Sequence, residues 1–184
     1  MSFDPNPTHQ PEIAQLGDPV LRQKAHLITQ YQDLQLQTLI DDLLITVKQA
    51  HGVGIAAPQV SQSLQLFIVA SRPTLRYPYA PVMEPMPMLN PRILSSSQTK
   101  VKDWEGCLSV PNHRGLVPRH QTIQVEYCDR HGQLQTATLT DFVARIFQHE
   151  YDHLQGIVFV DRVEDPQDLI SEAEYQTLIT EKVK

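Results

Sequence analysis

His149 and His153 stand four residues apart in the run Gln148-His149-Glu150-Tyr151-Asp152-His153. On a helix, residues at that spacing are turned only about 40° from one another, so both imidazoles face one way and can share a metal ion. Glu150, one step past the first histidine, reaches the edge of such a site. There it can accept a proton from water rather than bind the metal. The plainer reading is a solvated helix face with two histidines. Val143, Ile146 and Phe147 argue against it, because they supply an apolar stripe that turns the neighbouring histidines inward.

A catalytic site of this kind needs a third protein ligand and one open position. Glu172 or Glu174, about 20 residues downstream, would give the arrangement of many zinc peptidases. Cys107, in Glu105-Gly106-Cys107-Leu108-Ser109, is the other candidate, although a free cysteine is often only a small buried hydrophobe. Spacing does not choose between them. Two further readings stay open here: a zinc endopeptidase using a glutamate, and a metal-stabilised binding module with no catalysis.

Three segments together resemble the signature motifs of the peptide deformylase family. They are Gly52-Val53-Gly54-Ile55-Ala56-Ala57-Pro58-Gln59, Glu105-Gly106-Cys107-Leu108-Ser109 and Gln148-His149-Glu150-Tyr151-Asp152-His153-Leu154. Their order and separations also match, and the similarity runs over residues 16–160. The resemblance implies removal of the formyl group from N-terminal formyl-methionine of nascent polypeptides, with release of formate. It implies Cys107, His149 and His153 as ligands of one divalent metal: iron(II) in the cell, with zinc, nickel or cobalt also able to serve. It implies Glu150 as the proton acceptor and donor. The side-chain amide of Gln59 and the backbone N–H of Leu108 would meet the oxyanion. Val53, Gly54, Glu105, Arg114, Phe142 and Ile146 are the implied substrate-binding residues, with Val53, Phe142 and Ile146 lining the methionine pocket and Arg114 matching a family arginine that helps hold the active-site loops. Arg145 lies one turn before His149 and so faces the site. A charge there must be paired, and Asp103 or Asp141 is the expected partner. Asp152 is expected to be solvated. His9, His26, His51, His113, His120 and His131 lack ligand spacing and read as surface or local structural residues. Cys128 reads as packing, and Trp104 as support beneath the Cys107 segment.

The elements that must position these groups follow from pattern. Apolar residues recur at Leu36, Leu39, Ile40, Leu43, Leu44 and Val47, which predicts a helix over 31–50 with Gly52 as its left-handed cap. A second helix spans 141–155, begun by Thr140 or Asp141 and closed by Gly156, and a third spans 166–180. Strands are expected over 65–70, over 88–94 at a sheet edge because of Pro91, and over 122–128 and 134–139 as a hairpin. Residues 1–12 read as an extended arm, 71–87 as a proline-rich surface loop, and 104–111 as irregular. The order of elements points to one α+β domain over 1–184, with antiparallel or mixed sheets around the metal-binding helix.

A net charge of −6 and a pI near 5.7 exclude a nucleic-acid surface, which needs clustered Lys and Arg. The acidic residues Asp168, Glu172, Glu174 and Glu181 fit a basic-tail ribosome contact poorly, so only brief ribosome proximity is expected. Two cysteines suit a reducing setting. Residues 1–7 lack the basic start and apolar core of a secretory signal, and the run Leu66 to Ala70 is too short to span a bilayer. A cytoplasmic monomer acting on formyl-methionyl peptides, without membrane or nucleic-acid partners, is the expectation.

Overall fold

A computed structural model describes residues 11–181 and shows an α+β fold with two antiparallel sheets and three helices. Residues 1–10 of the expected arm lie outside the described residues. The larger sheet has the order β1 (Gly54–Ala56), β2 (Leu66–Val69), β3 (Met86–Ser96), β6 (Thr122–Cys128) and β7 (Leu134–Thr140). The smaller one joins β4 (Lys100–Cys107), β5 (Val110–His120) and β8 (Leu169–Ser171).

Helices α1 (Leu34–Gln49) and α2 (Asp141–Leu154) cover opposite faces of the larger sheet. Along β2, side chains alternate between them. Leu66 and Ile68 meet Ile40, Leu43 and Val47 of α1, whereas Phe67 and Val69 meet Ala144 and Phe147 of α2. Burial on both faces explains why the sequence there is a continuous apolar run rather than an alternating one. Phe67 and Phe147 meet edge to face with centroids 5.1 Å apart, anchoring α2 across the sheet. A third cluster, including Leu21, Val117 and Phe159, sits under the smaller sheet.

Several expectations are corrected. Helix α1 starts at Leu34, where Asp33 accepts a hydrogen bond from Leu36 N–H at 3.0 Å. Its left-handed residue is His51, at φ 51°, and not Gly52. Strand β3 is no edge: it pairs with β2 and β6, and Pro91 falls in a register shift between Leu89 and Arg92, where no ladder donor is required. The proline-rich loop therefore ends at Pro85, since Met86 and Pro87 pair with Val69 and Ile68. Residues 104–111 are a tight hairpin with Cys107 opposite Val110; Pro111 and Pro118 hid its alternation. Residues 166–171 form a 3-10 turn and β8, so the last helix, α3, spans Glu172–Glu181. Gly156, at φ 74°, closes α2 as expected.

Candidate active site

Helix α2 carries His149, Glu150 and His153, and the end of β4 carries Cys107. Cys107 Sγ lies 3.3 Å from His153 Nε2, and one ligand atom from each of Cys107, His149 and His153 falls within 4.8 Å of the others. A thiol and two imidazoles gathered in the interior suit zinc or iron(II). Glu172 and Glu174 are elsewhere, bonded to Arg114 and Ser171, so Cys107 completes the set.

Electrostatics support a cation at this point. Glu105 Oε2 accepts from His149 Nδ1 at 2.8 Å, which fixes the tautomer and leaves the Nε2 lone pair for a metal. Burial opposes charge on His149. The hydrogen bonds and charges of Cys107 and Glu105 nevertheless raise its proton affinity well above the usual range. Burial, reinforced by the charge of His149, holds His153 neutral, the form a ligand needs.

Arg145, His149 and Asp152 form one stripe along α2 at i, i+4 and i+7, and that stripe meets the β4–β5 hairpin. Glu105 Oε1 accepts from Arg119 Nε at 2.9 Å and from Arg145 Nη1 at 2.8 Å. Arg119 Nη1 donates to Asp152 at 2.6 Å, and Arg162 Nη2 donates to Asp152 at 2.7 Å. Burial works against the Glu105 carboxylate, yet the charge of Arg119 and the His149 hydrogen bond hold it well below its ordinary range. Asp152 is thus buried between two arginines rather than solvated. Arg145 pairs with Glu105, and with the carbonyls of Val117 and Val101, rather than with an Asp103 or Asp141 carboxylate. Its guanidinium is spent on the hairpin.

Glu150 is buried, and its Oε2 finds no hydrogen-bond partner among the described residues. Burial, the largest influence, pushes its carboxyl up to about 7. Gln59 is buried in a 3-10 turn (Ala57–Val60) after β1. Its Oε1 accepts from Ala56 N–H at 2.9 Å, which turns Nε2 toward Cys107 Sγ at 3.4 Å and Ser109 Oγ at 3.1 Å. Leu108 follows Cys107 in the hairpin turn and lines the same cleft.

Val53, Gly54, Phe142 and Ile146 line the open cleft together with His149 and Glu150. Glu105 reaches the wall, but its oxygens are engaged by Arg119, Arg145 and His149. Arg114 does not line the cleft; it lies behind Gly106, paired with Glu172 at 2.7 Å. Sequence reasoning missed Arg76 and Tyr77 of the proline-rich loop and His51 at the mouth, all of which line the cleft. Tyr77, an aromatic set among prolines, was the available signal. Of the remaining histidines, His26, His113 and His131 are exposed, while His120 is half-buried and bonded to Ser97 O; His9 lies outside the described residues. Cys128 meets the Tyr31 hydroxyl at 3.4 Å, and Trp104 packs on Tyr175.

An interior thiol and histidine pair, a buried carboxyl beside them and a cleft above suit a metal-dependent hydrolase. A family model described as polypeptide deformylase matches residues 10–168, and the chain belongs to that family. It is a hydrolase that removes the N-terminal formyl group from nascent peptides. Peptide deformylase 2 of Nostoc sp. is 62% identical over 172 residues, covering 94% of this chain and 96% of the relative. Peptide deformylase 2 of Shewanella oneidensis is 48% identical, covering 84% and 85%. The Met-Ala-Ser-bound class I type b peptide deformylase of Acinetobacter baumannii superposes with a TM-score of 0.80 at 42% identity, covering 82% of this chain and 96% of that one. Among the described residues no helix is long and apolar enough to cross a membrane.

Proposed function

We propose that Cys107, His149 and His153 hold iron(II) in the cell and that Glu150 moves the proton of formyl-methionyl peptide hydrolysis. The gathering of these three donors within 4.8 Å, with an unpartnered buried Glu150 oxygen beside them, carries the reading. The soft sulfur donor suits iron(II) as well as zinc. When bound, the metal polarises the formyl carbonyl and acidifies the attacking water.

The peptide lies along β1, the outer strand of the larger sheet, as an added strand. Methionine enters between Val53, Phe142 and Ile146. Glu150 accepts a proton from the attacking water and returns it to the leaving amine, a task that suits a carboxyl raised to about 7. Gln59 Nε2 and the Leu108 N–H donate to the developing oxyanion. The enzyme works as a cytoplasmic monomer with only transient ribosome proximity.

The test is formate release from formyl-Met-Ala-Ser by oxygen-free protein with iron bound, beside its Glu150→Ala variant. Release that falls by at least about 10² in the variant is expected. Unchanged release from the variant, or none from the iron-loaded parent, would overturn these roles.

A further inference from the structure

We propose that helix α3 sets the substrate wall of the cleft through a relay centred on the buried Arg114, Glu172 to Arg114 to Tyr77, making Glu172 a positioning residue for peptide binding. This rests on the reading of the cleft as the peptide site.

Tyr77 belongs to that wall. Its ring packs against Phe142 of the methionine pocket, with centroids 4.9 Å apart. Its hydroxyl oxygen accepts from Arg114 Nη1 at 3.2 Å and from Gly106 N–H at 3.4 Å, one residue from Cys107. One oxygen therefore fastens the proline-rich loop to the hairpin that carries Cys107 and Leu108.

Arg114 is 1% exposed and must be neutralised where it stands. Its anion comes from α3: Glu172 accepts from Nε at 2.7 Å and from Nη2 at 3.4 Å. The guanidinium also lies over the rings of Tyr77 and Tyr175, at 5.5 and 4.8 Å from their centroids. Gly106 leaves it room, because a Cβ there would sit 3.1 Å from Arg114 Nη1. Removing the Glu172 charge leaves Arg114 buried without an anion. The guanidinium then shifts toward another acceptor, and the Tyr77 hydroxyl keeps only the longer bond from Gly106 N–H. Because neither Glu172 nor Arg114 touches the reacting atoms, the loss falls on peptide binding rather than on chemistry.

The experiment is steady-state deformylation of formyl-Met-Ala-Ser by the iron-loaded full chain and its Glu172→Gln, Glu172→Asp, Tyr77→Phe and Glu172→Gln/Tyr77→Phe variants. We expect Glu172→Gln to raise KM roughly threefold to tenfold, with kcat within about twofold. Glu172→Asp, which keeps the charge, falls between it and the parent. Tyr77→Phe removes one surface-loop oxygen, raises KM in the same way, and carries the test if Glu172→Gln does not fold. The double variant should be no worse than the worse single one, the mark of a shared path. An unchanged KM in both single variants, or effects that multiply in the double, would overturn the relay. Ile146→Trp, which fills the pocket, separates the two ideas. If it leaves KM untouched, the cleft reading falls; if it blocks the peptide while the relay variants are silent, only the relay falls.

Discussion

Glu105 Oε2 lies 2.8 Å from His149 Nδ1, and the same carboxylate is shared with Arg119 and Arg145. One carboxylate therefore orients a proposed metal ligand and neutralises two buried cations. Glu105→Gln should lower metal affinity about 10–100-fold, the usual cost of losing a ligand's supporting carboxylate. It should also destabilise the fold by about 3–5 kcal/mol, because Arg119 and Arg145 stay buried with too little negative charge. Metal titration and urea unfolding read the two effects separately. A variant that loses metal at full stability would show that the arginines do not depend on Glu105.

Gly54 faces the buried Glu150 carboxyl directly. A Cβ built there would stand 2.3 Å from Glu150 Oε1 and 2.9 Å from Ile146 Cγ2. Gly54→Ala must therefore push Glu150 or α2 away, and a displacement of about 1 Å at a reacting group can cost about 10² in rate. The expected outcome is a kcat lower by about 10², with metal content retained, measured as formate release. Full activity would mean that Glu150 has freedom its burial does not suggest.

Gln59 offers a cleaner loss. Its Oε1 is held by Ala56 N–H, so Nε2 is the end presented to the site. Gln59→Leu keeps the volume and removes the donor. A kcat fall of about 10²–10³, with KM little changed, is the signature of an interaction made mainly in the transition state. A rise in KM alone would give Gln59 a role in ground-state binding instead.

The histidine pair was legible because it depends on local spacing: His149 and His153 share a helix face, and the apolar stripe at Ile146 and Phe147 says which way that face turns, whereas Cys107 came only from the family resemblance. The ion-pair network was less legible. Glu105, Arg119 and Asp152 meet only because α2 crosses the β4–β5 hairpin, and no spacing in the chain announces that crossing. Strand β3 was misplaced for a different reason. Pro91 signals an edge unless a bulge absorbs the missing donor, and at this bulge Asn90, at φ 49°, bonds to Ile28 and Tyr31 across the fold. Arg114 and Tyr77 share that difficulty, since the contacts that give them meaning come from α3 and a loop without period.

Metal removal separates a catalytic metal from a structural one. The three proposed ligands join only α2 and the β4–β5 hairpin, and the apolar clusters around Phe67, Ile40 and Val117 do not include the two histidines. Chelation under nitrogen should therefore abolish formate release while the folded state survives, with near-native circular dichroism and a Tm lower by several degrees. The Tm should rise with metal concentration on re-addition, because only the folded chain gathers the three donors. Iron(II) or zinc should restore the Tm, and activity should return with iron(II). Unfolding on chelation at room temperature would instead make the metal a structural staple, as in small metal-dependent domains, and would leave these buried clusters too weak to hold the chain.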